Sequence, residues 1–290
     1  MIRLVVNPLS GSGHGKTALD RVEQTLKANG TPYEVFLTEY PKHAIQLTKT
    51  ICQMPDTTTV VALGGDGTLN EVLNGFCNFD KVSLGIIPCG TGNDFANVAN
   101  IPNDEQKAID IILNQPAKYT DFLQMGELRG LNAIGTGIDV DVLIRYLKHK
   151  KRTKSTYFKS LLSSLMHFKS VDVCEEVGDT KTPHKAFIAI ASNGKYIGGG
   201  LKAAPNAVID DGLMEVLIVE KVPKLALPSY LIKLLRGKIL TAKRSHYKRA
   251  CTFKASSLNA PLSLQIDGEI YNDIPFDVQL ITKQLRIHRI

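Results

Sequence analysis

Long apolar runs are missing from this chain. No stretch approaches the ~20 residues that a membrane-spanning helix requires. The best candidate, LALPSYLIKLL, contains Pro228 and Lys233 and is too short. A secretory leader is not expected, because Asn7, Pro8 and a glycine loop interrupt the opening apolar run. Paired cysteines are missing too. Cys52, Cys77, Cys89, Cys174 and Cys251 are scattered and odd in number, and none forms a C-x-x-C pair. Buried free thiols in a reducing cytosol are the expectation, and a zinc site is not. The chain has no repeat and no low-complexity segment. It has no basic motif with interleaved aromatics, so nucleic acid is not an expected partner.

What is present is the composition of a soluble globular protein, with 43% hydrophobic and 22% charged residues. At 290 residues it has room for two domains. The formal net charge of +7 is clustered in KHKKRTK (148–154) and RGKILTAKRSHYKR (236–249). Such clusters are either solvated loops or docking surfaces for phosphate-rich partners, with anionic lipid favoured over nucleic acid.

The first part of the chain alternates strands and helices. IRLVV, YEVFLT, TTVVAL and VSLGIIP read as strands; KTALDRVEQTLKA, HAIQLTKTICQ, GTLNEVLNGF, NDFANVA and DEQKAIDIILN read as helices. Repeated βα units predict a parallel sheet covered on both faces, with ligands beyond the carboxyl ends of its strands. From about residue 118 the pattern changes to short alternating strands: YTDFLQMGEL, NAIGTGI, VDVCEEV, KAFIAIAS, LMEVLIVEK, CTFKASS, LSLQIDG and FDVQLI. This predicts an antiparallel, β-rich second domain, interrupted by helices near 140–168 and 223–236. The last stretch, QLRIHRI, is expected to return to the first domain.

Three glycine loops come after strands of the first part. SGSGHGKT (10–17) has the composition of a Walker A loop, with Ser10 in place of the first glycine. GGDGT places Gly64, Gly65, Asp66, Gly67 and Thr68 between a strand and a helix. Glycines let the backbone approach a ligand closely, and the helix N-terminus offers N–H groups and a partial positive charge to phosphate. A carboxylate beside polyphosphate is explained by Mg²⁺. The competing reading is a plain βα turn with Asp66 as N-cap. CGTGND adds Gly90, Thr91, Gly92, Asn93 and Asp94 after the next strand, so two loops can wrap a phosphate tail from two sides.

NPLSG, GGDGTLNEV and PCGTGNDF, in this order and spacing, resemble the catalytic domain of diacylglycerol kinases, with the related sphingosine, ceramide and bacterial lipid kinases. GTGIDVDV (135–142), SNGKYIGGGLKAAPNAVIDDGLMEVLIV (192–219) and QIDGE (265–269) resemble later motifs of the same family, so the resemblance spans nearly the whole chain. It implies an α/β N-terminal domain of the NAD kinase/diacylglycerol kinase kind, residues 1–123 completed by 279–290, and a β-rich antiparallel sandwich over 124–278. The implied activity is an ATP- and Mg²⁺-dependent lipid kinase that phosphorylates a lipid hydroxyl, diacylglycerol foremost. The lipid is expected to enter between the domains.

The resemblance implies that SGSGHGKT is no Walker A loop. Asn7, Pro8, Leu9, Ser10 and Gly11 would line the nucleotide, together with Thr38, Gly64, Gly65, Asp66, Gly67, Thr68, Leu69, Asn70 and Thr91. Lys16 either reaches phosphate or faces solvent. Asp66, Asp94 and Asp121 would hold the catalytic Mg²⁺, partly through water. Asp267 would be the base, with Glu269 as the alternative; the competing reading of QIDGE is a hairpin turn at Asp-Gly. The resemblance also implies a second, structural Mg²⁺ held by two backbone carbonyls and one side chain at Ala203, Asn206 and Val208, with an uncharged Asn206 where the family has Asp, so affinity should fall.

The basic clusters would dock the enzyme peripherally on an anionic membrane from the cytoplasm, each Lys or Arg contributing roughly 1 kcal/mol. The apolar stripe of TYFKSLLSSLMHF (156–168) either touches acyl chains or packs in the core. Exposed edge strands are compatible with a homodimer. Two rival readings are an NAD kinase-like enzyme, which shares GGDGT, and an inactive nucleotide or lipid sensor.

Overall fold

A computed structural model of the chain describes residues 1–149, 151, 153–257 and 261–290. Lys150 and Arg152 of the first basic cluster lie outside the described residues. Two compact units are present: Met1–Asp121 with Thr282–Ile290, and Phe122–Ile281.

The first unit contains β1 (Ile2–Val6), α1 (Ser10–Ala28), β2 (Tyr33–Leu37), α2 (His43–Ile51), β3 (Thr59–Gly64), α3 (Asp66–Gly75), β4 (Ser83–Pro88), α4 (Asp94–Val98) and α5 (Glu105–Asn114). The strands are parallel in the order β2-β1-β3-β4, with Val5 opposite both Phe36 and Ala62, and Ala62 opposite Ile86. Every residue of β1, β3 and β4 is buried, as expected for a parallel sheet covered on both faces. The order reverses between β1 and β3. Their carboxyl ends therefore flank the topological switch point where α/β sheets bind ligands. α5 is capped by Asp104, whose side chain accepts the Lys107 N–H at 2.9 Å.

The chain continues through β5 (Ala117–Met125), β6 (Leu128–Gly130), β7 (Ala133–Gly137), α6 (Ile138–Leu147), α7 (Lys154–His167), β8 (Val171–Val177), β9 (Thr180–Ser192) and β10 (Met214–Glu220). It ends with α8 (Leu227–Leu235), β11 (Ser245–Ala250), β12 (Thr252–Ser257), β13 (Ser263–Ile266), β14 (Glu269–Asn272) and β15 (Phe276–His288). In the second unit the pairings are antiparallel. β9 is its axis: the first half pairs with β8, and the second half lies between β7 and β10. Leu123, Ile134, Val173, Val216, Phe253, Leu264 and Phe276 belong to one buried cluster there. β15 leaves this unit at Ile281, and Ile287 then pairs in parallel with Leu84 of β4 in the first.

Several elements depart from the pattern read in the sequence. YTDFLQMGEL is not one strand but a hairpin, β5 and β6, turning at Gly126 with φ +58. β9 begins five residues before Lys185 and runs through Pro183. It does so where β8 is its partner and β10 does not reach, so one side has no ladder for proline to interrupt. SHYKRA, read only as positive charge, is strand β11 beside β10. Expected to be buried, the cysteines divide: Cys52, Cys89 and Cys174 are buried, Cys77 is half-buried and Cys251 is exposed, all as free thiols.

Candidate active site

Glycine builds the site at the switch point. After β1 the chain turns through Asn7–Leu9, and Gly11, Ser12 and Gly13 take left-handed φ values of 60, 62 and 96 before α1 becomes regular. A Cβ on Gly11 would lie 2.2 Å from the Cys89 carbonyl oxygen, so only glycine fits. The Asn7 side chain organises this turn. Its Oδ1 accepts the Leu9 N–H at 3.1 Å, and its Nδ2 donates to Thr68 Oγ1 at 3.2 Å. Ser10 Oγ accepts the Gly65 N–H at 3.0 Å, which ties the NPLSG turn to GGDG. Lys16 is exposed.

The GGDG and CGTG turns touch. A Cβ on Gly90 would sit 2.5 Å from Gly65 Cα. Gly65, in extended geometry, is the N-cap of α3, and no side chain caps that terminus. Asp66 is therefore the first residue of the helix and not its cap. Its carboxylate instead reaches sideways and accepts the Asn93 N–H at 2.7 Å. A helix N-terminus without a side-chain cap, held against a second glycine turn, is an anion site in physical terms.

Asn93 is named by the sequence only as one member of the second glycine loop, and the structure gives it a role of its own. It sits at φ 55, a value asparagine tolerates. Its side chain accepts the Gly90 N–H and donates to the Gly90 carbonyl, both at 3.0 Å, and also donates to Asn103 at 2.7 Å. The signal was available as an asparagine just beyond a glycine turn. Burial pushes the neighbouring Cys89 thiol up to about 12, with the Glu105 carboxylate a second cause, so this thiol stays neutral.

The remaining expected nucleotide residues fall around this core. Gly64 ends β3, where a Cβ would meet Thr68 at 2.5 Å, and Gly67 faces open space. Thr68, Leu69 and Asn70 are buried in α3, Pro8 is half-buried, and Leu9 and Thr91 are exposed. Thr38 comes directly after β2, and its N–H donates to the Val6 carbonyl at 2.8 Å. Asp94 opens α4 and is buried, as is Asp121 on β5. These are hard oxygen donors of the type Mg²⁺ takes. Among the described residues, however, the group of three or more His, Cys, Asp or Glu ligand atoms lying within 4.8 Å of one another is elsewhere, at His184, Glu220 and His246. Direct ligation of one ion by all three aspartates is thus not built in. Mg²⁺ commonly keeps several waters and takes its other ligands from phosphate.

In the second unit Asp267 and Gly268 form the two-residue turn between β13 and β14, with φ 47 and 93. QIDGE is thus a hairpin, and Asp267 and Glu269 are not neighbours on one extended strand. The Asp267 carboxylate accepts three backbone N–H groups: Leu131 at 2.6 Å, and Asn132 and Ala133 at 2.9 Å. Its own N–H donates to the Ala133 carbonyl at 3.0 Å. The same segment is held from its other side by the S-N-G motif. Asn193 Nδ2 donates to the Leu131 carbonyl at 3.0 Å, and the Asn193 and Gly194 N–H groups donate to the Asn132 carbonyl. Two motifs far apart in sequence therefore clamp one three-residue segment. Glu269, the first residue of β14, is exposed.

Asp139, in the GTGIDVDV segment, is buried, and burial pushes its carboxyl up to about 7. Neither oxygen has a hydrogen-bond partner close enough to offset this. Of the second expected metal set, Ala203 is buried while Asn206 and Val208 are exposed. Asn206 adjoins the Tyr247 hydroxyl and brings no charge, so this set fits Mg²⁺ poorly.

A parallel sheet whose carboxyl edge carries touching glycine turns, in a chain that also has an antiparallel β unit, is an arrangement suited to a phosphate-bearing ligand. Comparison with known proteins narrows this. Residues 1–125 match the family model for the diacylglycerol kinase catalytic domain, and 132–289 match the YegS C-terminal NAD kinase beta sandwich-like domain. A diacylglycerol kinase of Staphylococcus saprophyticus is 30% identical over 277 residues, covering 94% of this chain and 90% of its own. One from Staphylococcus aureus is 28% identical, covering 94% and 87%. A crystal structure of a diacylglycerol kinase from Bacillus anthracis superposes with a TM-score of 0.76 at 21% identity, covering 100% and 96%, and supports the fold alone. The chain belongs to the diacylglycerol kinase family and is a lipid kinase. That family's chemistry implies ATP and a divalent metal.

Proposed function

We propose that the chain transfers the γ-phosphoryl group of ATP to a lipid hydroxyl with Mg²⁺, and that diacylglycerol, giving phosphatidic acid, is the leading acceptor. The observation that carries this is the contact of the GGDG and CGTG turns at the N-terminus of α3, where no side chain caps the helix. Backbone N–H groups there would hold the β- and γ-phosphates, with Asn7 and Ser10 fixing the turn that covers them. Asp66, Asp94 and Asp121 would hold Mg²⁺ through water and phosphate oxygens. The ion would supply charge neutralisation on the transferring group.

For the proton we assign Glu269 rather than Asp267. Three backbone N–H donors already occupy the Asp267 carboxylate, two on Oδ1 and one on Oδ2, whereas Glu269 stands exposed on the next strand. Asp267 is then a positioning residue that keeps the hairpin at a fixed place. In this reading residues 1–123 with 279–290 serve the nucleotide, and 124–278 serve the lipid.

Membrane docking is argued from α7, which has two apolar faces. Leu161 is buried with Tyr157, Leu165 and Phe168 packed around it, while Phe158, Leu162 and Met166 are 43, 44 and 58% exposed. The outer line repeats every fourth residue, as on an interfacial helix. Ile144 and Leu147 on α6 are also exposed, and Lys148 and Lys151 lie just beyond them in the chain. We assign this surface to peripheral contact with an anionic leaflet. No helix among the described residues is long and apolar enough to cross a membrane.

The test is incubation with γ-labelled ATP, Mg²⁺ and vesicles containing diacylglycerol, monoacylglycerol, a sphingoid base or phosphatidylglycerol, with NAD as a soluble control. Labelled phosphatidic acid identified by mass is the expected product. Label in NAD, or in no acceptor, would overturn the reading.

A further inference from the structure

Away from the glycine turns, four adjacent strands of the second unit bring two histidines and two glutamates onto one patch. Register accounts for it. His184 lies on β9 two residues before Ala186, which pairs with Glu220 on β10. Ile218 pairs with His246 on β11, so His246 is diagonal to Glu220. Val173 on β8 pairs with His184, so Glu175 is diagonal to that histidine. With side chains alternating at period two, the four share a face. Their atoms are close: His246 Nε2 is 3.1 Å from Glu220 Oε1, His184 Nδ1 is 3.6 Å from the same oxygen, and His184 Nε2 is 3.4 Å from Glu175 Oε2. The ligand atoms of His184, Glu220 and His246 all lie within 4.8 Å of one another.

His184 makes this patch more than a surface ion cluster. It is 7% exposed, and neither ring nitrogen makes a hydrogen bond. A buried imidazole left in that state is costly unless something else uses its nitrogens. The two rings are tilted by 57°, with centroids 5.1 Å apart, so stacking does not explain the pair.

We propose that His184, Glu220 and His246 form a binding site for a divalent transition metal of the Zn²⁺ class. Two imidazole nitrogens and one carboxylate oxygen are a recurrent three-ligand set for zinc, with a fourth position left to water. Imidazole donors select such ions over Mg²⁺ and Ca²⁺. Donors about 2.1 Å from a tetrahedral ion stand about 3.4 Å apart. The separations of 3.1 and 3.6 Å at Glu220 bracket that value.

Glu175 completes the arrangement. Accepting a hydrogen bond from the His184 Nε2–H would fix the tautomer and direct Nδ1 to the ion, the usual carboxylate–histidine–metal relay. Lys248 pairs with the other oxygen of Glu175 and keeps that carboxylate out of the inner ligand set. Glu220 and His246, with side chains 36 and 52% exposed, give the ion an entry path. A bound ion would cross-link β9, β10 and β11 and stabilise the folded chain by mass action.

The experiment uses the full chain, stripped with a chelator and titrated with Zn²⁺ in excess Mg²⁺. Stoichiometry is read by elemental analysis after gel filtration, affinity by competition with a chromophoric chelator, and geometry by the visible absorption of the Co²⁺ form. One Zn²⁺ per chain is expected, with a Co²⁺ spectrum of a four-coordinate site and a raised melting temperature. H184A and H246A should each weaken binding by at least about tenfold, and Glu175→Gln by about 10–100-fold. His246 is exposed, so its variant carries the test if the buried His184 variant does not fold. A chain that takes up no Zn²⁺, or an H246A variant that binds it as tightly as the parent, would overturn the proposal. None of these readouts depends on kinase activity.

Discussion

Two of the chain's three Asp-Gly pairs, Asp66-Gly67 in the first unit and Asp267-Gly268 in the second, have opposite fates. The first opens helix α3, and its carboxylate reaches across to one backbone N–H of the neighbouring turn. The second is a left-handed hairpin turn whose carboxylate is held by three backbone N–H groups. The difference lies in the residues C-terminal to each pair. TLNEVLNG continues at helical spacing, whereas EIYN alternates beside SLQI. In the proposed reading the first region would cradle phosphate with backbone and glycine, and the second would be a scaffold in which the anchored Asp267 carboxylate keeps the hairpin that carries Glu269 in place.

Glu269→Gln tests this contrast most sharply. It is expected to lower kcat by about 10²–10⁴-fold with an unchanged melting temperature. Near-normal turnover would return the role of base to Asp267. Next is Asp139, whose raised carboxyl pKa contributes stability that is fully present below about pH 4, its unfolded range, and lost as pH rises through about 7. Relative to Asp139→Asn, the parent should lose up to about 4 kcal/mol between pH 4 and 8. Denaturant titrations of both chains across that range check it, and a flat difference would refute it. Asp267→Asn should cost about 2 kcal/mol of stability through weakened N–H contacts and lower activity along with it. A variant as stable as the parent but inactive would break the comparison.

On the cradle side, Gly90→Ala forces a Cβ to within 2.5 Å of Gly65 Cα, so the two turns must part. KM for ATP should rise about tenfold or more, with little change in lipid KM. The smallest effect is expected from the combined Phe158→Ser, Leu162→Ser and Met166→Ser chain. It should bind anionic vesicles about tenfold more weakly by sedimentation, while phosphorylating detergent-dispersed lipid normally.

Much of the first unit was legible because its determinants are local. Buried β-branched runs, glycine loops and 3.6-period helices recur along it, and each carries its own signal. The second unit was harder. β11 hid within positive charge, and β14 is only four residues long. The anchor on Asp267 comes from residues 134–136 positions away, which no window in the sequence relates to it. The apolar stripe of α7 illustrates a tie broken only by packing: one face is buried among neighbours, and the other is left exposed.

The sequence by itself determined the order of strands and helices in the first unit, the places of the glycine loops, and the family, because these depend on neighbours along the chain. Only the tertiary structure decided which carboxylate is anchored and which is exposed. It alone gathered His184, Glu220 and His246 on one face. Antiparallel pairing sets such juxtapositions through register between distant strands, and register is a property of the closed sheet rather than of any one segment.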